Sequence, residues 1–209
     1  MSGLYFKYGT MNSSKTANLL MIKHNYEEQN ISVIVLKPCI DTRDEDKIKD
    51  GIGVVSSRVG ISSDCHILYD DSDIVELTKN YDVIMVDESQ FLTAKQVGTL
   101  YEISFEKVVM CFGLLTDFKR ELFEGSKRLI ELCDSLQEIK SICKCGRRAV
   151  VNARYTNGVI QTSGEQIQIN SLSDKSEYKA LCKQCYNSEI CRNILADALD
   201  IYYKNNSSD

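Results

Sequence analysis

Residues Gly9 to Thr16 read GTMNSSKT, directly after the run Leu4-Tyr5-Phe6-Lys7-Tyr8 and directly before a stretch with helical spacing. They match the phosphate-binding pattern G-x-x-x-x-G-K-[ST] except at Ser14, which stands where the pattern has its second glycine. Such a loop needs a strand running into it, closely spaced backbone N–H groups, and a helix that starts at its Lys-[ST]. Leu4–Tyr8 supplies the strand, and Leu19, Leu20, Ile22 and Tyr26 fall on roughly one side of the helix that follows. Gly9 allows the tight entrance, Lys15 can reach β- and γ-phosphates, and Thr16 can offer its hydroxyl to Mg²⁺. Ser14 must then take a backbone conformation that glycine adopts freely and serine only at a cost of about 1–2 kcal/mol.

The rest of the chain repeats the strand-then-helix rhythm. ISVIVLK (31–37) is a continuous β-branched run of the kind buried on both faces of a sheet, and the only proline, Pro38, ends it. A polar loop is expected to follow, through DTRDEDK and VVSSRVG, with a short helix over 73–80. YDVIMVDESQF (81–91) predicts a second buried strand, 94–104 a helix, KVVMCFG (107–113) a third strand and 120–132 another helix. This alternation predicts an α/β fold, a parallel sheet flanked by helices.

Val83-Ile84-Met85-Val86 runs straight into Asp87-Glu88. A buried strand that ends in carboxylates presents them at the edge where α/β sheets place their chemistry. Asp87 suits the role of holding Mg²⁺, and Glu88 is placed to accept a proton from an attacking nucleophile. The competing reading, a helix cap plus a surface acid, loses weight because a phosphate loop lies upstream.

Composition sets the outer bounds. The chain has 209 residues, 43% hydrophobic and 26% charged, with a net charge of −5. This is ordinary for a globular protein and unlike a general nucleic-acid binder. No apolar stretch approaches the roughly 20 residues of a membrane helix, and no export signal is legible, so a cytoplasmic location is the expectation. Charge is uneven: residues 141–193 hold eight Lys and Arg against four Asp and Glu, inside a chain that is otherwise acidic. A boundary near residue 140 follows, giving a nucleotide-binding core over 1–140, a cysteine-bearing domain over 141–191, and a C-terminal helix with a polar tail over 192–209.

Four of the nine cysteines form Cys143-x-Cys145 and Cys182-x-x-Cys185, enough thiolates for a closed, structural zinc site. Cys191 competes for one of the four positions. The remaining Cys39, Cys65, Cys111 and Cys133 read as small buried hydrophobes, and His24 and His66 as packing or surface residues. Between the two pairs the pattern changes to short β-like pieces. The polar TSGEQIQINSLSDKSEY (162–178) suggests a loop clamped at its base, a candidate lid over a substrate.

The strings LYFKYGTMNSSKT, KPCIDTR, VSSRVGISS, VDESQFLTAKQV, FGLLTDFKRELFEGS, LQEIKSICKCGRRA and EYKALCKQCY together resemble the type II thymidine kinases, almost end to end. The resemblance implies a RecA-like P-loop core with a small zinc-ribbon and lasso domain. It implies transfer of the ATP γ-phosphate to the 5′-hydroxyl of thymidine; since one methyl in a snug pocket is worth only about 1–3 kcal/mol, deoxyuridine is expected as a secondary substrate. Glu88 falls on the family's proton acceptor. Gly9, Thr10, Met11, Asn12, Ser13, Ser14, Lys15 and Thr16, with Asp87, Glu88, Ser89 and Gln90, fall on its ATP- and Mg²⁺-contacting segments. Cys143, Cys145, Cys182 and Cys185 fall on its zinc ligands. Met11, Phe91, Leu114, Phe118, Phe123 and Tyr178 align with the thymine pocket. Arg43, Arg58 and Arg120 are three unranked candidates for stabilising charge on the transferring phosphoryl group.

Similar enzymes are commonly homotetramers inhibited by thymidine triphosphate. Two positions depart from the family pattern: Ser14, and Ile169-Asn170-Ser171, where the family has a Gly-Gly in its lasso. Two alternatives remain at this level. A nucleic-acid motor would share the D-E-x-Q element but needs a second ATPase domain, and a non-catalytic relative would bind nucleotide without turning it over.

Overall fold

A computed structural model describes residues 2–39, 51–166 and 176–206. The chain divides into two compact units, Met1–Thr116 with Leu122–Ile139, and Asp117–Glu121 with Lys140–Asp209.

The first unit is built on a seven-stranded sheet in the order β3-β4-β2-β5-β6-β1-β7. Its strands are β1 (Gly3–Tyr8), β2 (Val33–Pro38), β3 (Ile52–Ser56), β4 (Ser62–Leu68), β5 (Val83–Val86), β6 (Val108–Gly113) and β7 (Ser135–Glu138). All neighbours run parallel except β3, which pairs antiparallel with β4. The helices are α1 (Lys15–Glu27), α2 (Ile74–Thr78), α3 (Ala94–Ile103) and α4 (Glu124–Leu132). The α/β reading with a mainly parallel sheet is therefore borne out.

Burial explains why the central strands read as unbroken apolar runs. Ile34, Leu36, Ile84 and Val86 face one core with Val97, Leu100 and Leu129 of α3 and α4. Their neighbours Val33, Val35, Val83 and Met85 face the other, with Leu19 and Leu20 of α1. With both faces covered, alternation disappears from the sequence. The third helix is entered through a reciprocal cap, in which the Thr93 side chain accepts from the Gln96 N–H and the Gln96 side chain accepts from the Thr93 N–H.

Two local expectations are corrected. VVSSRVG is only partly loop: Val54–Ser56 end strand β3, in which Gly53 and Val55 turn inward between more exposed neighbours, and Ser57–Gly60 form the turn of the β3–β4 hairpin, while DTRDEDK lies outside the described residues. The helix expected over 120–132 begins at Glu124. Residues 117–121 form a tight turn instead, closed by Asp117 N–H to the Glu121 carbonyl at 2.9 Å and Glu121 N–H to the Asp117 carboxylate at 2.9 Å.

The second unit holds β8 (Ser141–Ile142), β9 (Arg148–Ala149), β10 (Val151–Thr156), β11 (Val159–Gln161), β12 (Ser176–Leu181) and α5 (Lys183–Asn206). Strand β10 lies between β11 and β12, antiparallel to both. The C-terminal helix starts nine residues earlier than the sequence suggests, because Cys185 sits in its first turn and donates its N–H to the Cys182 sulfur at 3.4 Å.

Candidate active site

The C-terminal ends of β1, β5 and β6 lie side by side, with Tyr8 level with Gly113 and Val86 level with Cys111. The loop Gly9–Ser14 leaves the first, and Asp87-Glu88 leaves the second. Gly9 donates its N–H to the Gly113 carbonyl at 3.2 Å. A Cβ on Gly9 would stand 2.4 Å from Ser13 Oγ and 2.5 Å from the Ile139 carbonyl, so only glycine fits. Asn12 and Ser14 both take the left-handed conformation, at φ of 63° and 60°. Left-handed residues are what nests of inward-pointing N–H groups are built from. Ser14 thus adopts the conformation that the missing glycine would take, and the strain is borne by a loop otherwise held in place.

Lys15 opens α1 and is almost fully buried. Its Nζ donates to the Thr10 carbonyl at 3.0 Å and to the Gly9 carbonyl at 3.5 Å. Burial lowers its pKa, and the negative charges of Glu88 and Asp87 oppose that shift. Thr16 Oγ1 donates to Asp87 Oδ2 at 2.9 Å. The other oxygen, Asp87 Oδ1, is buried without a partner among the described residues, as is Ser13 Oγ in the loop. Burial, reinforced by the charge on Glu88, pushes the Asp87 carboxyl up to about 6. Two adjacent acids, one with an orphaned oxygen beside a threonine hydroxyl, fit a divalent cation, which would satisfy the oxygen and stabilise both charges.

Glu88 also takes a left-handed conformation, φ 52°, a strain typical of functional positions. Its Oε2 accepts from Gln90 Nε2 at 2.7 Å. Gln90 Oε1 in turn accepts from the Leu114 N–H at 2.9 Å, beyond the end of β6. Ser89 is wholly buried and its hydroxyl lacks a partner among the described residues. Phe91 meets Phe123 edge-on, ring centroids 5.6 Å apart, while Met11 and Leu114 are partly exposed in the same unit.

The structure brings Gly9–Thr16, Asp87–Phe91, Leu114 and Phe123 into one unit. Phe118 and Tyr178 belong to the other, Phe118 buried on its turn and Tyr178 half-buried on β12. Of the arginines, Arg58 is exposed in the turn of the β3–β4 hairpin. Arg120 stacks over the Tyr186 ring at 5.1 Å within the second unit. Arg43 and the Ile169-Asn170-Ser171 departure lie outside the described residues.

In the second unit the sulfurs of Cys143, Cys145, Cys182 and Cys185 all lie within 4.8 Å of one another, and Cys145 and Cys182 are 3.6 Å apart. Four thiolates around zinc at about 2.3 Å require separations of this size. The backbone N–H of Cys185 helps pull Cys182 down to about 6, whereas Cys145, Cys182 and Cys143 together push Cys185 up to about 12. Thiols so crowded cannot all ionise without a cation among them, and a divalent metal fits the set. Cys191 is exposed and outside the cluster, which removes it as a rival ligand.

Arg154 is a residue that no sequence pattern exposes. It is buried, its guanidinium 3.6 Å above the Phe118 ring, and it donates to the carbonyls of Glu165 at 2.9 Å and Ser163 at 3.3 Å. Ser126 is another: wholly buried, it donates its hydroxyl to the Leu114 carbonyl at 2.6 Å. A Gly-Ser pair at the start of a helix reads as an ordinary helix entrance, and only the tertiary contact distinguishes it.

The thymidine kinase family model matches residues 2–186. The thymidine kinase of Streptococcus gordonii is 42% identical over 193 residues, covering 89% of this chain and 96% of that one. That of Enterobacteria phage T4 is 41% identical over 196 residues, covering 90% and 96%. That of Lactiplantibacillus plantarum is 42% identical over 193 residues, covering 89% and 96%. Among solved structures, the Pif1 helicase of Candida albicans aligns at 14% identity with a TM-score of 0.40, covering 68% of this chain and 36% of that one, too weak a likeness to carry an argument. On the family match and the relatives together, this chain belongs to the thymidine kinase family.

Proposed function

We propose that this protein transfers the γ-phosphate of ATP to the 5′-hydroxyl of thymidine, with Glu88 accepting the hydroxyl proton. The observation that carries the reading is the link between Thr16 and Asp87, which joins the phosphate loop to the acidic strand end in a chain of this family. In the transfer, the 5′-oxygen forms a bond to the γ-phosphorus, the bond from that phosphorus to the β–γ bridging oxygen breaks, and ADP leaves. The proton passes to the Glu88 carboxylate. Phosphoryl transfer depends mainly on positioning and charge neutralisation. Loop N–H groups and Lys15 hold the phosphates, and Thr16 and Asp87 hold Mg²⁺. The metal's contribution when bound is to offset charge on the β- and γ-oxygens.

Met11, Phe91, Leu114 and Phe123 form the thymine-facing wall of the first unit, and for Phe118 and Tyr178 the assignment rests on the resemblance alone. Discrimination through one methyl group is worth about 1–3 kcal/mol, so deoxyuridine is a slower substrate. Cys143, Cys145, Cys182 and Cys185 hold a structural zinc. The resemblance further supports a homotetramer, inhibition by thymidine triphosphate and a cytoplasmic location. No described helix is long and apolar enough to cross a membrane.

The test is transfer of labelled γ-phosphate from MgATP, with thymidine, deoxyuridine, deoxycytidine and a no-nucleoside blank in parallel. Thymidine-dependent nucleotide is the expected product. ATP hydrolysis stimulated by nucleic acid, without nucleoside phosphorylation, would overturn the reading.

A further inference from the structure

Gln90 is assigned to nucleotide contact by resemblance, yet its side chain is engaged elsewhere. It is 2% exposed, and both ends of its amide meet protein groups. The Leu114 N–H can only donate, so the atom facing it at 2.9 Å must be the amide oxygen. That fixes the orientation of the amide: Nε2 faces Glu88, where it donates to Oε2 at 2.7 Å. A donor aimed at a carboxylate makes a charge-assisted bond, stronger and more directional than a neutral one.

Leu114 is itself held from its other side, since its carbonyl accepts from Ser126 Oγ at 2.6 Å. The packing leaves little slack. A Cβ on Gly113 would stand 2.7 Å from both Gln90 Oε1 and Ser89 Oγ, and one on Gly125 would stand 2.6 Å from the Ser89 carbonyl and 2.7 Å from that of Leu92. The amide and its turn therefore press against bare backbone on two sides.

We infer that Gln90 is a positioning residue. It ties one oxygen of Glu88 to the main chain of Leu114, which Ser126 anchors, and leaves the other oxygen to take the proton. The same brace fixes the separation between the proton acceptor and Leu114 in the thymine-facing wall. This rests on the reading of Glu88 as proton acceptor given under the proposed function.

Steady-state kinetics with thymidine and MgATP varied separately test the brace in wild type, Gln90→Glu, Gln90→Leu and Ser126→Ala, with melting curves to check folding. Gln90→Glu keeps the acceptor for Leu114 and loses the donor to Glu88; kcat should fall about 100-fold, the scale of a misplacement near 1 Å, with both KM values unchanged. Gln90→Leu carries no charge and removes both bonds, so kcat should fall as far and thymidine KM should also rise. Ser126→Ala loosens the Leu114 end of the brace and should raise thymidine KM, with a smaller fall in kcat than either Gln90 variant. A rise in MgATP KM with thymidine parameters intact would make Gln90 a nucleotide contact and overturn the inference. So would wild-type kcat in either Gln90 variant. A wild-type protein that does not phosphorylate thymidine would overturn the functional reading and the brace with it, whereas an active wild type with unimpaired Gln90 variants overturns the brace alone.

Discussion

Thr16 Oγ1 and Asp87 Oδ2 lie 2.9 Å apart although 71 positions separate them in the chain. The bond spans from the helix after β1 to the end of β5, two strands that are not neighbours, because β6 lies between them. It leaves Asp87, a buried residue, with one satisfied oxygen and one that has no partner among the described residues.

Asp87 is consequently a liability to the metal-free fold. Its folded-state pKa of about 6 lies above the ordinary value of 3.8, so the native state holds the proton more tightly than the unfolded chain does. Ionisation above that range costs stability. Asp87→Asn should therefore raise the melting temperature of metal-free protein at pH 7–8, lose that advantage as pH falls through about 6 toward 4, and abolish turnover. Thermal melts across pH with chelator present check the first two outcomes, and a lower melting temperature at pH 8 would contradict the account.

Ser14 should be replaceable by the pattern's own residue. Ser14→Gly removes a left-handed strain of about 1–2 kcal/mol, part of which returns as greater freedom of the unfolded chain. Retained activity and a melting temperature unchanged or raised by about 2–4 °C are expected. Ser14→Val, with a branched Cβ at φ 60°, should lose ATP binding. Nucleotide titration on both variants decides the matter.

Glu88→Gln keeps the shape of the side chain and removes its ability to take a proton. Turnover should fall by about 100-fold or more, with ATP affinity within about twofold of wild type because no phosphate contact is lost. Single-turnover transfer measured beside equilibrium ATP binding separates the two quantities. Unchanged transfer would remove Glu88 from the chemistry.

The four-sulfur cluster should bind one metal ion per chain. Cys182→Ser should lose zinc and melt well below wild type, since the metal supplies folding free energy to residues that cannot otherwise satisfy the crowding of their thiols. Cys191→Ser, outside the cluster, should retain both zinc and stability. Elemental analysis of the purified variants reads this directly.

Arg154→Met should destabilise the second unit by about 2 kcal/mol or more, from two lost carbonyl partners and a lost cation–π contact. Gly164→Ala should produce a milder form of the same defect, because its Cβ would stand 2.7 Å from Arg154 Nη2. Hydrogen exchange over β10 and residues 162–166 locates the loss. Protection unchanged there would show that the arginine is not what holds the segment.

Features encoded within a few residues are legible in the amino-acid sequence alone. The phosphate loop stands out because a strand, a turn and a helix must follow one another in the chain for N–H groups to converge. The parallel sheet is legible in ISVIVLK and DVIMV because burial on both faces erases alternation, and the four-cysteine cluster because two close cysteine pairs have the spacing that suits a metal. Meetings between distant segments, by contrast, are settled only in the assembled fold. Thr16 reaches Asp87 only because strand order sets β1 and β5 on either side of β6, and the Gln90 amide is oriented by the N–H of Leu114, 24 positions away. The β3–β4 hairpin and the buried Arg154 leave no clear mark in the sequence for the same reason. A hydrogen bond or a stacked ring depends on which backbone arrives opposite, and that is set by the assembled sheet rather than by the residues nearby in sequence.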